Sequence, residues 1–260
     1  MLEVHTWQPN ANSGKPLFCL HEKGVPFTYH YVDMGKREHF SPEFLAINRD
    51  GTIPAVVHDG FVMTESTPIM EYIDDAFDGP ALRPADPYWR WQMRKVMRFM
   101  DNEVAPSLAM LASNRLAAPS FRTVDEAEKQ RELAKIPLPE RRAAWARLMY
   151  DNTDPADLEE SARRVKASFA TFETLLAQSP WLAGPDFSLA DICVFATFYG
   201  LPLAYPDHVT PKATPRLWDW LRRCHERPGL QRAFAMGSGF FAQRVVDVRE
   251  RLGLAQVVAA

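Results

Sequence analysis

Asn48-Arg49-Asp50-Gly51-Thr52-Ile53-Pro54-Ala55-Val56, followed by Asp59-Gly60 and then by Thr64-Glu65-Ser66-Thr67, is the stretch on which the reading of the fold turns. Ile53 to Val57 and Phe61 to Met63 are short apolar runs separated by the turn-forming His58-Asp59-Gly60, which makes them a hairpin. From Ser66 to Phe77 the residues Ile69, Met70, Ile73 and Phe77 fall on one helical face. Upstream, Leu2 to Trp7 reads as a strand, about Lys15 to Lys23 as a helix stopped by Gly24, and Phe27 to Val32 as a second strand. The order is βαβ and then ββα, one small α/β domain over residues 1–82.

The segment Leu82-Arg83-Pro84-Ala85-Asp86-Pro87 has two prolines and no helical period, so it serves as a linker. Residues 1–82 carry five Lys/Arg against twelve Asp/Glu, and the remainder 25 against 21, so the composition shifts at the same place. From Asp86 onward only helical periodicity is visible. Met93, Val96, Met97, Met100, Val104, Leu108 and Leu111 recur at three and four, with a kink expected at Pro106. Leu158, Ala162, Val165, Phe169, Phe172 and Leu176 mark another helix, Leu189 to Tyr199 a third, and Leu217, Leu221 and Cys224 a fourth. Residues 83–260 therefore read as all-α, with a polar, partly helical insertion around 112–157. Phe187-Ser188-Leu189-Ala190-Asp191-Ile192 is a capping box with its hydrophobic staple, a structural device.

At 260 residues, 47% hydrophobic and 24% charged, the chain is an ordinary globular protein. A formal charge of −3 offers no positive field for nucleic acid or an anionic membrane. No uninterrupted apolar run approaches the ~18 residues of a membrane span, and the first residues lack a signal pattern, so a cytoplasmic protein is expected. Cys19, Cys193 and Cys224 lie in apolar helical patterns and read as core residues in a reducing compartment.

The ordered set from Asn48 to Thr67 resembles the glutathione-binding half of the glutathione transferases. The resemblance implies a thioredoxin-like N-terminal domain followed by a helical C-terminal domain, glutathione as co-substrate, and a cis Ile53-Pro54 bond. In such a site the Ile53 backbone pairs with the extended tripeptide as an added strand. Ser66, at a helix start, takes the γ-glutamyl carboxylate, and Glu65 balances its ammonium. Taken singly, Ser66 reads equally as a helix cap and Pro54 as a loop end.

Ala11-Asn12-Ser13-Gly14-Lys15-Pro16-Leu17 stands where these enzymes activate the sulfur. A free thiol of pKa ~8.5 is only a few per cent ionised at neutral pH. The Ser13 hydroxyl, the Asn12 amide and the helix N-terminus together stabilise the thiolate. The plain reading of both residues is capping, which is compatible with catalysis. No Tyr or Cys stands in this loop, which counts against the tyrosine and cysteine classes.

Beyond the general family the chain resembles the bacterial glutathione-dependent beta-aryl etherases of lignin breakdown. The matching stretches are Ala11-Asn12-Ser13, Lys15-Pro16-Leu17, Glu22-Lys23-Gly24, Leu82 to Pro87, and Ile136-Pro137-Leu138-Pro139-Glu140 with Trp145 following. The resemblance implies that the glutathione thiolate displaces a phenolate from the side-chain beta carbon, which adjoins an aryl ketone, giving a thioether. That reaction asks chiefly for alignment and an ionised sulfur, and for an aromatic pocket to which Trp7, Trp145 and Tyr150 are assigned. It also implies a homodimer; no metal is expected. The chain departs from the pattern at Thr52, where many relatives have Gln or Lys, and at His39, where the etherases have a Gln that reaches the glycyl carboxylate. His39 is assigned that contact as a donor, with a solvated surface histidine as the equal alternative. The competing readings are a general transferase or disulfide-bond reductase acting on other small electrophiles, and a non-catalytic interaction module of the same fold.

Overall fold

Strand β1 (Leu2–Thr6) turns Leu2, Val4 and Thr6 into the protein and leaves Glu3 and His5 half-buried on the other face, the period of two that makes it a sheet's central strand. A computed structural model describes residues 1–255. Helix α1 (Ala11–Lys23) follows and ends at Gly24, whose φ of 71° closes it in the left-handed region. It begins four residues before the apolar period does, because Ala11-Asn12-Ser13-Gly14 carries no hydrophobic repeat. β2 (Thr28–Tyr31) returns parallel to β1, with His5 opposite His30. A 3-10 turn (Glu38–Phe40) leads to α2 (Pro42–Ile47), capped by the Ser41 hydroxyl, which accepts from the Phe44 N–H. β3 (Ala55–His58) and β4 (Phe61–Met63) form the expected hairpin. The sheet order is β2-β1-β3-β4, with only the first pair parallel. Helix α3 (Ser66–Ala76) packs beside α1, burying Ile69, Met70 and Ile73.

The connecting segment is tied on both sides. Asp74 accepts from the Leu82 N–H at 2.9 Å, from Arg83 Nε at 2.9 Å and from Lys23 Nζ at 3.0 Å, and the Leu82 carbonyl accepts from the Leu189 N–H at 2.9 Å.

Downstream of it every regular element is a helix. α4 (Pro87–Phe99) runs through a π-type turn (Met100–Val104) into α5 (Ala105–Leu116). Pro106 explains the turn: it lacks an N–H and its ring presses on the carbonyl four residues back, so the regular ladder cannot pass. The insertion folds as a 3-10 turn (Ala118–Phe121), α6 (Glu126–Ala134) and α7 (Pro139–Met149), with a small core of its own built on Phe121, Leu133, Ile136 and Met149. The long α8 (Pro155–Gln178) precedes α9 (Leu189–Phe198), of which only Thr197 escapes full burial. The capping box forms as expected: the Ser188 N–H donates to Asp191 Oδ2 at 3.0 Å, and Asp191 Oδ1 also accepts from Trp220 Nε1 at 2.8 Å. The chain closes with α10 (Leu201–Ala204), α11 (Pro215–His225), α12 (Pro228–Phe234) and α13 (Gly239–Arg251). The last two lie where the sequence shows no clear period, after the breakers Pro228-Gly229 and Gly237-Ser238-Gly239.

One hydrophobic cluster runs through both halves, from Leu2, Val4 and Leu17 to Phe195, Trp220 and Leu230. All three cysteines are buried and free. Among the described residues, no helix is long and apolar enough to cross a membrane.

Candidate functional site

The first turns of α1 and α3 meet at one acidic side chain from the helical half. Lys15, fully buried two residues after Ser13, pairs with Asp101 on the π-type turn. Thr67, one residue after Ser66, donates to the other Asp101 oxygen at 2.6 Å, and Lys15 Nζ reaches Thr67 Oγ1 at 3.3 Å. Burial alone would lower the Lys15 pKa, but Cys193 and Asp101 outweigh it and the net shift is upward, so the ammonium stays charged. Ser13 and Ser66 are thereby fixed side by side at two helix N-termini, where unpaired N–H groups and the helix dipoles favour negative charge.

The loop before α1 holds Ser13 in place. Its carbonyl accepts from Thr6 Oγ1 at 3.1 Å, and the Gly14 N–H closes onto the Asn10 carbonyl at 2.8 Å. A Cβ on Gly14 would stand 2.7 Å from the Pro9 carbonyl carbon, so no other residue fits that close approach. Ser13 is buried and Asn12 exposed; neither side chain hydrogen-bonds another described residue, and the N-cap position belongs to Asn10. Neither therefore acts as the side-chain cap that their plain reading assigned.

The Ile53-Pro54 bond is cis. Asn48 shapes the loop before it, donating from Nδ2 to the Thr52 carbonyl at 2.7 Å and to Thr52 Oγ1 at 2.9 Å. Thr52 thus commits its hydroxyl within the loop. Ile53 lies just before β3, with no hydrogen bond from its N–H or C=O to any described residue. Glu65 takes φ 67° and ψ 104°, a conformation costing roughly 1–3 kcal/mol in a non-glycine residue. Its side chain is exposed, and Ser66, the first residue of α3, is buried with an uncommitted hydroxyl. Strain at a residue flanking a helix N-terminus is a mark of a site that something binds.

His39 is not a solvated residue. It is 1% exposed, neither ring nitrogen has a hydrogen-bond partner, and its ring lies 3.9 Å, centroid to centroid, from that of Phe40. Burial first, then the positive charges of Arg141 and Arg37, push its pKa down to about 4, so it is neutral at physiological pH. Phe40 belongs to the hydrophobic core of the insertion. It also abuts Gly51, where a Cβ would approach its ring to 2.8 Å. The insertion is therefore seated on the segment beside the cis-proline loop.

Two clefts flank α5. One, of about 340 Å³, is lined by Asn12, Asp101, Pro106, Ala109, Tyr199 and Arg244 among others. The other, of about 480 Å³, shares Pro106 and Ala109 with it and is walled by Met34, Arg141, Trp145 and Leu148. Of the three aromatic residues assigned to a substrate pocket, Trp145 is placed here. Tyr150 lines neither cleft: its hydroxyl donates to Glu126 at 2.6 Å and accepts from Gln130 at 2.8 Å, and Lys129 lies 5.2 Å over its ring. It is a clamp between α6 and α7. Trp7 lines neither cleft; its carbonyl accepts from the Tyr29 hydroxyl at 2.7 Å. Asp101, Tyr199 and Arg244 are cleft residues that the sequence reading missed: the first two sit inside helical patterns that already account for them, and Arg244 lies on α13, where the sequence shows no clear period. Among the described residues, one group has metal-ligand spacing: Glu3, His5 and His30, on the face of β1 and β2 away from the core. There Glu3 and His30 pair at 2.9 Å and the two imidazoles stack.

Comparison with known proteins identifies the family and the fold. Residues 11–76 match the family model of the glutathione S-transferase N-terminal domain, and residues 155–223 that of the C-terminal domain. Protein LigF of Sphingobium sp. (strain NBRC 103272 / SYK-6) is 37% identical over 240 residues, covering 90% of this chain and 93% of the relative. The crystal structure of beta-etherase LigF from Sphingobium sp. strain SYK-6 superposes with a TM-score of 0.86 at 35% identity, covering 90% of this chain and 98% of that one. Glutathione transferase F7 from Populus trichocarpa shares the fold, with a TM-score of 0.69 at 21% identity over 94% of this chain and 99% of its own.

Proposed function

The chain belongs to the glutathione S-transferase family, and on that premise we propose that it is a glutathione-dependent beta-etherase. It cleaves beta-aryl ether bonds in lignin-derived aryl ketones. The observation that carries this is the likeness to beta-etherase LigF along nearly the whole of both chains.

Glutathione lies along Ile53, with its γ-glutamyl end at Glu65 and Ser66. Its sulfur is at the N-terminus of α1, where Ser13 and Asn12 donate to the thiolate. The sulfur attacks the carbon beside the ketone, the C–S bond forms as the C–O bond breaks, and the electron pair leaves on the phenolate. The carbonyl activates that carbon, so the protein's task is to keep the sulfur ionised and in line with the leaving oxygen. The clefts along α5 receive the aromatic rings, with Trp145 as one wall. Residues 1–82 act as the thioredoxin-like glutathione-binding domain and residues 83–260 as the substrate-binding domain, with the insertion around 112–157 covering the site. The protein works in the cytoplasm, as a homodimer.

The test is incubation of the purified protein with glutathione and each enantiomer of a beta-aryl ether ketone. Stoichiometric release of phenol and of a glutathione thioether is expected. Turnover of a generic halonitrobenzene with no phenol release from either enantiomer overturns the etherase reading in favour of a general transferase.

A further inference from the structure

We infer that Arg141, on helix α7 of the insertion, is a glutathione-binding residue that joins His39 in holding the glycyl carboxylate, so that the insertion completes the site of its co-substrate. The inference rests on the proposed glutathione site and extends it to an element outside both matched family domains, which end at residue 76 and resume at residue 155.

Arg141 is half-buried, and among the described residues its guanidinium makes no hydrogen bond and no ion pair. That is costly for a group with five donors. The next residue in α7 is not left so: Arg142 donates to the Ile136 carbonyl from both Nε and Nη2, at 3.0 and 2.7 Å. The charges that act on Arg141 are Glu140, its neighbour in sequence, and Glu65, at the mouth of the proposed site; Arg141 in turn acts on His39. Arg141 and His39 are thus two uncommitted nitrogen-bearing side chains, one charged and one neutral, brought to the same place from different parts of the chain.

The scaffold that brings them together is packed and ion-paired. Phe40 is embedded in the insertion's core with Phe121, Leu133, Ile136 and Met149. Arg37 forms an ion pair with Glu132 of α6 and lies 5.5 Å over the Phe121 ring. Phe40 rests against Gly51 at the start of the cis-proline loop. An extended tripeptide lying along Ile53 with its γ-glutamyl end at Ser66 presents its other carboxylate towards His39. A neutral imidazole can donate one N–H but cannot neutralise the charge; a planar guanidinium can do both and grip the carboxylate with two N–H groups. Other small carboxylates lack the second anchor at Ser66, so the ligand is the tripeptide.

The experiment titrates the full chain by calorimetry with glutathione and with its glycyl monoethyl ester, which masks one carboxylate and keeps the rest. The wild-type protein is expected to bind glutathione about tenfold or more tightly than the ester. In Arg141→Ala, glutathione affinity should fall to near that of the ester while ester affinity changes less than about twofold, and Arg141→Lys should restore part of the difference. In turnover, KM for glutathione should rise with kcat at saturation little changed. Equal wild-type affinity for the two ligands overturns the inference without any variant. So does an equal loss of both ligands in Arg141→Ala, which marks a scaffold role. Ser66→Ala separates this from the underlying reading: it should weaken both ligands alike, and if it weakens neither, the glutathione site itself is misplaced and the inference falls with it.

Discussion

Gln8 and Ser238, 230 residues apart, exchange hydrogen bonds in both directions: Gln8 Nε2 donates to Ser238 Oγ at 2.7 Å, and the Ser238 N–H donates to Gln8 Oε1 at 2.8 Å. Gln8 also donates to the Tyr31 hydroxyl at 2.9 Å. Ser238 precedes α13, which carries Arg244 to the cleft beside Asn12. One buried amide thus fastens the final helix to the strand end that leads into the loop before α1.

Gln8→Ala should destabilise the protein by ~0.5–1.5 kcal/mol, because it removes the hydrogen bonds that tie the start of α13 to the end of β1. Urea denaturation gives the magnitude, and limited proteolysis should show faster cutting around 235–240. Unchanged denaturation and proteolysis would mean that the α13 contacts through Phe241 suffice alone.

Glu65→Ala and Ser66→Ala should each weaken glutathione by ~1.5–3 kcal/mol, the worth of a hydrogen bond to a charged group. Glu65→Gly tests the strain separately: removing the Cβ at φ 67° should raise folding stability while lowering glutathione affinity. Calorimetry and denaturation together decide it, and a glycine variant that loses both stability and binding would show that the positive φ carries no strain.

Ser13→Ala alone should lower turnover modestly, since Asn12 and the α1 N–H groups remain. The double variant with Asn12→Ala should raise the pKa of the bound thiol towards ~8.5, so its activity should recover as pH increases. Thiolate absorbance of bound glutathione against pH is the measurement. A double variant with a still-depressed thiol pKa would assign activation to other groups.

His39 makes stability depend on pH in a definite direction. Its folded pKa of about 4 lies below the ordinary 6.5, so between those values the unfolded chain holds a proton that the folded chain lacks. Stability is therefore fully present above pH 6.5 and falls as pH drops towards 4, by ~1.4 kcal/mol per pH unit for this group. His39→Gln should flatten the dependence over that window in urea titrations at several pH values. Parallel slopes for the two proteins would show that the ring charges without penalty.

The elements that announced themselves in sequence are those whose side chains obey one period or one local code. The hairpin around Asp59-Gly60, the helix from Ser66 and the box at Ser188 and Asp191 are of this kind, since local propensity and burial agree there. The N-terminal turn of α1 was illegible because Ala11-Asn12-Ser13-Gly14 buries no apolar stripe. His39 resembles a surface residue in sequence, being flanked by Glu38 and preceded by Lys36 and Arg37; its burial depends on an insertion some eighty residues away. Tyr150 and Trp145 lie on one short helix and its end, and only packing against α6 sends one to a clamp and the other to a cleft. Arg141 left no trace at all, because an arginine in a polar insertion carries no pattern until its neighbours are known.

The burial of Cys19, Cys193 and Cys224 has a chemical consequence for a catalyst whose reagent is itself a thiol. Burial pushes all three sulfhydryl pKa values upward, that of Cys193 to about 11 even with the Lys15 ammonium beside it. At neutral pH these three cysteines contribute essentially no sulfur anion, so the thiolate that an electrophile meets is that of the borrowed tripeptide. Alkylation of these cysteines and their disulfide exchange with glutathione are then slow in the folded protein. A thiol-counting reagent applied to the folded protein in the presence of its co-substrate would register the small molecule alone.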